Sequence, residues 1–235
     1  MELIEKRENQ ITVLAEVEEP LMNSIRRYVN QVSTLAVDEV EISRNDSPLY
    51  DETIAHRIGL VPLKMGKVNA KNLQEAKISV SREGYVYSKD LKGVDVVYGD
   101  MPLTFLNKGQ EIEINAKTTM GKGAEHSKFS PGFIFYRNAS EIIADKTMGK
   151  ELQEVCRKNS SKEKNDKVII SDNLRKGIAD LCEGIAKKHG KTIEISPSNE
   201  LVITIESFGQ MPEKEIFKKA IEGLKKDLEE VSKKI

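Results

Sequence analysis

The stretch "NELVITIESFGQMPEKEIFKKAIEGLKKDLEEVSKKI", residues 199–235, joins a strand pattern to a long helix pattern. Its first part alternates apolar residues as one face of a β-strand does, at Leu201, Ile203 and Ile205. After Pro212, apolar residues recur at spacings of 4, 3, 4, 3 and 4, namely Phe217, Ile221, Leu224, Leu228, Val231 and Ile235. Two interpretations are open: the helix covers the chain's own sheet, or this seam meets a partner helix. A stripe this narrow is hard to bury against one small domain.

The N-terminal end repeats the combination of strand and helix. The segment "QITVLAEVEE" has strand alternation, and "EPLMNSIRRYVNQV" has the apolar spacing of a helix that begins near Pro20. The predicted helical stripe consists of Leu21, Ile25, Tyr28 and Val32. The next segment, "STLAVDEVEIS", predicts a strand with Leu35 and Val37 on one face and Val40 and Ile42 on the other. With further strand-like segments at "VDVVYG" and "EIEINAK", the chain is predicted to be α+β.

Composition argues against several classes of protein. Acidic and basic residues balance to a net charge of −1, tryptophan is absent and aromatic residues make up 5%. A free-standing nucleic-acid binder usually has a basic surplus, so we expect no direct sequence-specific DNA contact. The charged N-terminus lacks a signal-peptide pattern, and no apolar run is long enough to span a membrane. We therefore expect a soluble, cytoplasmic protein without membrane contact, and its two cysteines fit a reducing compartment.

Residues 139–192 differ in character from the rest of the chain. The segment "CRKNSSKEKNDK" is polar and predicts an exposed loop. The segment "DNLRKGIADLCEGIAKKHG" predicts a helix that begins at Asp172 or Asn173 and stops at Gly190.

Three motifs suggest chemistry, and each has a plainer interpretation. "GIAKKHGKT", residues 184–192, approaches a phosphate-binding loop, but Ile185 stands where the motif needs glycine, and a helix precedes it. "MGKGAEHSKF", residues 120–129, is either an anion nest or, as we favour, a structured turn with exposed side chains. Cys156, Cys182 and His189 are weak candidates for a metal site because no second pair of soft ligands supports them.

The most unusual stretch is "LYDETIAHRIGLVPLK", residues 49–64. It predicts a short helix capped by Asp51 or Glu52 and ended by Gly59, with Pro62 preventing its continuation. Ile54 and Ile58 should face inward, and Leu60 is a third candidate for an inward position. No nucleophile or metal ligand set accompanies His56 and Arg57, so we interpret the charged outer face as a docking surface. The alternative is an enzyme or nucleotide-binding protein that uses His56, His126 and the near phosphate loop.

Four sequence blocks together resemble one family. "SIRRYVNQVSTLAVDEVEI", "LYDETIAHRIGLVPL", "GKGAEHSKFSPGF" and "LVITIESFGQMPEKEIFKKAIEGL" occur in the order typical of the D-type subunit of archaeal RNA polymerases. The family is similar to the third-largest subunit of eukaryotic polymerases and, more distantly, to the bacterial alpha N-terminal domain.

The resemblance implies a two-part alpha-like polymerase subunit. A dimerisation domain would be formed by both chain ends, residues 1–39 and 198–235. An inserted, mainly-β domain would comprise residues 40–138 and 193–197. Residues 139–192 would form a ferredoxin-like insertion, which binds iron–sulfur clusters in some relatives. A cubane cluster generally takes four thiolates, and this chain has two cysteines, so we expect a degenerate insertion without a cluster and no other cofactor.

The resemblance also implies partners and sites. The chain would form a heterodimer with the small subunit L, nucleate assembly of the large catalytic subunits, and lie near the small zinc subunits N and P. Phosphoryl transfer needs carboxylate-bound Mg²⁺, which the family places on the largest subunit, so we predict no catalytic residue and no metal ligand here. The predicted partner-binding residues are Asn23, Arg26, Arg27, Asp51, Glu52, His56, Arg57, Gly121, Gly123, Glu125, His126, Lys128, Phe217, Ile221, Leu224, Leu228 and Val231. Gly59 and Pro131 fall on the same blocks.

Overall fold

The protein is described by a computed structural model covering residues 1–66, 73–148, 151–152, 161–164, 167–171, 174–175 and 177–234. The strands are β1 (Glu2–Lys6), β2 (Gln10–Glu16), β3 (Ser33–Asn45), β4 (Glu75–Val80), β5 (Gly84–Tyr87), β6 (Pro102–Leu106), β7 (Ile112–Lys122), β8 (Gly132–Asp145), β9 (Ser161–Lys164), β10 (Lys167–Ser171) and β11 (Glu194–Ser207). The helices are α1 (Glu19–Tyr28), α2 (Asp51–Gly59), α3 (Ala179–Lys188) and α4 (Glu213–Ser232). The predicted α+β class is confirmed.

The chain divides into two compact units. The first unit comprises Met1–Asn23 and Ile134–Ile205, and the second comprises Ser24–Phe133 and Glu206–Ile235. The division into a dimerisation domain, an inserted domain and a further insertion stays a prediction.

The first unit is built around a six-stranded sheet with the order β1-β2-β11-β8-β10-β9. Strand β10 pairs antiparallel with β8 and with β9. The prediction of a loop throughout residues 156–167 is therefore wrong for Ser161–Lys164, which form an edge strand although their composition is polar. Strand β1 was not predicted either, because its sequence is dominated by charged residues.

A packed apolar cluster lies beside this sheet. Its buried members are Ile142, Ala144, Met148, Leu152, Val168, Ile170, Ile178, Cys182 and Ala186. Helix α3 contributes Cys182 and Ala186, and it ends before Gly190, whose φ of 63° is left-handed, as predicted for a stop. The predicted helix start at Asp172 or Asn173 lies outside the described residues, and the described helix begins only at Ala179, after Gly177 and Ile178.

The second unit contains the antiparallel sheet β3-β7-β4 and the hairpin β5-β6. The pairing of β3 with β7 shifts between Val37 and Glu39, so Asp38 is the extra residue of a β-bulge. Val37 lies opposite Thr118 and Val40 lies opposite Ala116. Because these partners are two residues apart in β7, Val37 and Val40 share one face.

The prediction that Val40 and Ile42 face the opposite side from Leu35 and Val37 is therefore wrong. The extra residue in the bulge places all four side chains on the same face of β3. The strand predicted at "VDVVYG" is also wrong, since this segment makes only an isolated bridge between Val96 and Leu63. The strand predicted at "EIEINAK" is confirmed as part of β7.

Helix α1 is confirmed, and two residues of its predicted stripe, Ile25 and Val32, are buried, whereas Leu21 is exposed and Tyr28 is only partly buried. Met22, Ile25 and Val29 are buried, whereas Leu21 is 49% exposed. Apolar residues occur at adjacent positions 21–22 and 28–29, so the sequence allows two stripes with helical spacing. Packing selects the second stripe and leaves Tyr28 only partly buried.

Candidate docking surfaces

Helix α4 buries only a short part of its surface within the second unit. Pro212 precedes the helix, and Ile216 and Ala220 in its first turns are fully buried. The predicted seam lies mainly outside this contact. Ile221, Leu228 and Val231 are 39%, 58% and 53% exposed. We call Phe217, Ile221, Leu224, Leu228 and Val231 the α4 face; Ile235 lies outside the described residues.

The stripe of α4 that begins with buried Ile216 and Ala220 continues at Gly223 and Asp227, beside the end of α1. The Tyr28 hydroxyl donates to Asp227 Oδ2 at 2.8 Å, and this hydrogen bond raises the pKa of Tyr28. A Cβ at Gly223 would lie 3.3 Å from the Tyr28 ring, so glycine permits this close approach. Along the helix, Glu215 pairs with Lys219 at 2.8 Å, and Glu222 pairs with Lys218 at 3.7 Å.

Helix α2 places the second sequence block. Ile54 and Ile58 are fully buried, as predicted, but Leu60 is 42% exposed, so its inward prediction is wrong. The residue before the helix is Tyr50, which makes no side-chain cap, and the predicted capping by Asp51 or Glu52 is also wrong. These two acids lie in the first turn instead, where they face the positive end of the helix dipole.

The two basic residues of this block have different surroundings. Arg57 Nη1 donates to the backbone oxygen of Leu103 on β6 at 2.9 Å, so Arg57 ties the helix to the hairpin. His56 is exposed. Asp51 accepts a hydrogen bond from Asn45 at 2.7 Å.

The third sequence block forms a structured turn with exposed side chains, as we favoured over an anion nest. Glu125 accepts from the Lys122 backbone at 3.0 Å. His126 Nδ1 accepts from the Lys128 backbone at 3.1 Å and caps a short 3₁₀ turn, Ser127–Phe129. Added Cβ atoms would lie 2.5 Å from the Phe129 ring at Gly121 and 3.0 Å from Asn30 Oδ1 at Gly123.

Lys128 connects this turn to the bulge in β3. Its Nζ donates to the Val37 backbone oxygen at 3.1 Å and to Asp38 Oδ1 at 2.7 Å. The same ammonium lies 5.0 Å from the centre of the Phe129 ring. Because the Lys128 side chain is only 14% exposed, the contact fixes the turn and the bulge together.

These elements surround a surface cavity of about 250 Å³, which we call the notch. Its lining residues are Val37, Asp38, Val40, Ala55, His56, Gly59, Leu60, His126 and Lys128. The structure thus brings the second and third blocks together. Arg26 and Arg27 are exposed in the last turn of α1 but do not line the notch, and Asn23 is half-buried in α1.

Sequence reasoning missed five lining residues of this surface, namely Val37, Asp38, Val40, Ala55 and Leu60. An acidic residue inside the apolar run "LAVDEV" was the available signal for the bulge. The lining of a cavity by residues up to 91 positions apart, such as Val37 and Lys128, has no comparable sequence signal.

The near phosphate loop and the candidate metal ligands do not form a binding site in the described residues. Lys191 of the near phosphate loop pairs with Asp145 Oδ2 at 2.8 Å, and it follows a helix end where a phosphate loop would precede a helix. Cys182 is buried in the apolar cluster, and His189 Nε2 lies 2.6 Å from Glu151 Oε2. Cys156 lies outside the described residues. Within the described ranges, no three His, Cys, Asp or Glu residues converge as a metal site would require.

Among the described helices, none combines the length and the apolar character needed to cross a membrane.

Comparison with known proteins identifies the family of this chain. Residues 40–135 match the family model of the RNA polymerase Rpb3/RpoA insert domain. The chain is 34% identical to the DNA-directed RNA polymerase subunit Rpo3 of Thermococcus kodakarensis, over 94% of this chain and 92% of the relative. It is 35% identical to the protein of that name from Pyrococcus horikoshii, with the same coverage. The Rpo3 subunit of Archaeoglobus fulgidus is 29% identical over 99% of this chain and 96% of its own. The chain therefore belongs to the family of archaeal DNA-directed RNA polymerase subunit Rpo3.

Proposed function

We propose that this chain is the assembly platform of an archaeal DNA-directed RNA polymerase. It forms a heterodimer with the small subunit L through the α4 face, and the heterodimer then recruits the large catalytic subunits. The small zinc subunits N and P dock nearby, and the remaining predicted contact residues, including Asn23, Arg26 and Arg27, belong to these assembly surfaces.

The observation that carries this proposal is the exposed α4 face. Leu228 and Val231 are each more than half exposed, although their spacing matches a helix–helix seam. Isolated exposed apolar residues are common, but a row of them along one helix is typical of an interaction surface. A partner helix would bury this row and remove it from water.

The notch supports a second docking surface on the same unit. Asp38 and Lys128 hold each other in place by an ion pair, and His126 is held by the backbone N–H of Lys128. Preorganised side chains lose little conformational freedom when a partner binds. We assign this surface to one of the large subunits.

We further propose that residues 139–192 are a degenerate ferredoxin-like insertion without an iron–sulfur cluster. Cys182 is fully buried among apolar side chains, whereas a cluster needs converging thiolates. The residues present therefore do not fit a cubane cluster. Elemental analysis and a visible spectrum after anaerobic purification test this, and a brown, iron-containing protein would contradict it.

The heterodimer is tested by co-expression of the chain with subunit L from the same organism, followed by size-exclusion chromatography. The wild-type chain should elute as a one-to-one complex. Leu224→Glu combined with Leu228→Glu should abolish that complex, because each carboxylate would be buried without a partner at a cost of several kcal/mol.

Lys226→Glu is the matched control, because it changes the net charge by the same amount on the polar side of α4. It should leave the complex intact. A stable monomer that ignores subunit L, or a complex that survives the double substitution, would refute the proposal.

A further inference from the structure

One edge of the α4 face is lined by lysines. An α-helix turns by about 100° per residue, so positions 214, 218 and 225 of α4 lie within roughly 40° of one another and directly beside the α4 face. All three residues are lysines, and all three are exposed. The fourth residue at this edge, Ser232, is uncharged. We call Lys214, Lys218 and Lys225 the lysine rim.

The opposite edge of the α4 face is closed by the chain itself. Ile216 and Ala220 are fully buried. Farther along the same edge, Gly223 lies against the Tyr28 ring, and Asp227 accepts a hydrogen bond from the Tyr28 hydroxyl. A partner that covers the α4 face can therefore extend only across the lysine rim.

The acids that pair with the rim lie on its far side. Lys218 Nζ lies 3.7 Å from Glu222 Oε1, and Lys225 Nζ lies 3.9 Å from Glu229 Oε1. Both pairs are exposed and contribute little, so each is readily exchanged for a partner's carboxylate. Because these two glutamates stand farther around the helix than the lysines do, a partner on the α4 face meets the positive charge first.

A second copy of this chain does not suit this surface. In an antiparallel pair related by a two-fold axis, equivalent edges of the two helices face each other, so lysine rim would meet lysine rim. In a parallel pair, each rim would face the opposite edge of the other helix, which packs beside α1. Like charges placed together suppress a wrong partner, so the rim disfavours self-pairing.

We propose that the α4 face receives a helix of subunit L that carries Asp or Glu along the edge facing the lysine rim. This inference rests on the proposed heterodimer and specifies the chemistry of its partner. Apolar residues of that helix would cover the α4 face, while its carboxylates meet the ammonium groups. A phosphate backbone would pair with the lysines but leave Leu228 and Val231 in water, so a protein edge is the better fit.

The position of the charges predicts their effect. Charges at the rim of an interface act mainly on the rate of association and on its salt dependence, because they attract the partner before contact. Association of the wild-type chain with subunit L should therefore slow by about tenfold between roughly 0.05 and 0.5 M salt. A rate that does not depend on salt would overturn the inference without any variant.

The rim variant combines Lys214→Gln, Lys218→Gln and Lys225→Gln, which keep a good helix former at each position. Stopped-flow mixing with subunit L at low salt should show association slower by about fivefold or more, with a smaller change in dissociation. The control combines Lys219→Gln, Lys226→Gln and Lys233→Gln, which remove the same charge from the side of the helix opposite the α4 face. It should associate within about twofold of wild type. Equal rates for the two variants would overturn the inference.

Failure of this inference and failure of the proposed function give different results. A wild-type heterodimer whose association is indifferent to the rim overturns the inference and leaves the heterodimer in place, whereas a chain that does not bind subunit L overturns both. Sedimentation equilibrium of each chain alone tests the second copy. The rim variant should self-associate at least as strongly as wild type, and tighter self-association of wild type would also reject the inference.

Discussion

Gly121 offers a sharp test of how the third sequence block is held together. In Gly121→Ala, the new methyl carbon would lie 2.5, 2.6 and 2.7 Å from three carbons of the Phe129 ring. Carbon atoms prefer separations of about 3.5–4.0 Å, so the ring must move by roughly 1 Å. Phe129 is 5% exposed and its backbone oxygen accepts from Thr34 at 2.6 Å, which leaves little room for that movement.

Overpacking of this kind typically costs about 1–3 kcal/mol. For a chain of this length, each kcal/mol lowers the melting temperature by about 2–4 °C, so we expect a fall of about 2–12 °C in a thermal melt followed by circular dichroism. Gly59→Ala, where the added carbon makes only an ordinary contact, is the control and should not lower the melting temperature.

A double-mutant cycle identifies the cause. Phe129→Leu removes the ring atoms that the new methyl group would meet. Combined with Gly121→Ala, it should be less destabilising than the sum of the single changes by about 0.5 kcal/mol or more. Additive effects would refute the argument that the ring requires glycine at position 121.

Two further predictions concern the charged contacts. Lys128→Met leaves the buried Val37 oxygen without its donor and should cost about 1–3 kcal/mol, measured by urea unfolding; the ion pair with half-exposed Asp38 adds less because water screens it. Unchanged stability would mean that Lys128 does not hold the bulge. The Asp145 carboxylate accepts hydrogen bonds from Lys191 and Thr147, which lower its pKa. This stabilisation is present at neutral pH and is lost as the pH falls below the ordinary Asp value of about 4. Melting temperatures of wild type and Asp145→Asn should therefore differ at pH 7, and this difference should narrow steadily as the pH falls below about 4. A difference that stays constant would contradict the assignment.

The periodicity of apolar residues was sufficient to predict an element and its inward side chains where one face of that element is buried. The strand through Leu201, Ile203 and Ile205 and the helix after Pro212 followed from spacing alone, as did the inward positions of Ile54 and Ile58. The strand begins earlier than the predicted segment, at Glu194. The spacing of apolar residues is a property of one segment, so it can be recognised without knowing which other segments pack against it.

The remaining features depend on partners far along the chain. The bulge at Asp38 exists only in the register with β7, and it reverses the face of the residues from Glu39 to Ile42, after which the register shifts again. The buried stripe of α1 was ambiguous because adjacent positions were both apolar, and packing chose Met22 over Leu21. Edge strand β9 has polar composition and is paired on one side only by β10.

The candidate surfaces were predictable only where they depend on one segment of the sequence. Sequence blocks supplied the residues predicted to dock partners, and the seam of α4 was visible in its spacing. The notch was not visible, because it arises where β3, α2 and the His126 turn meet. The internal contact of Arg57 with Leu103 was also unforeseen, and it gives that residue a structural role within the chain.

The central claim is that this chain supplies surfaces for assembly through its α4 face. The most direct measurement is native mass spectrometry of the chain mixed with purified subunit L. We predict a one-to-one heterodimer for wild type and for Lys226→Glu, and free chains for the double substitution at Leu224 and Leu228. A wild-type chain that stays free at micromolar concentrations would contradict the claim.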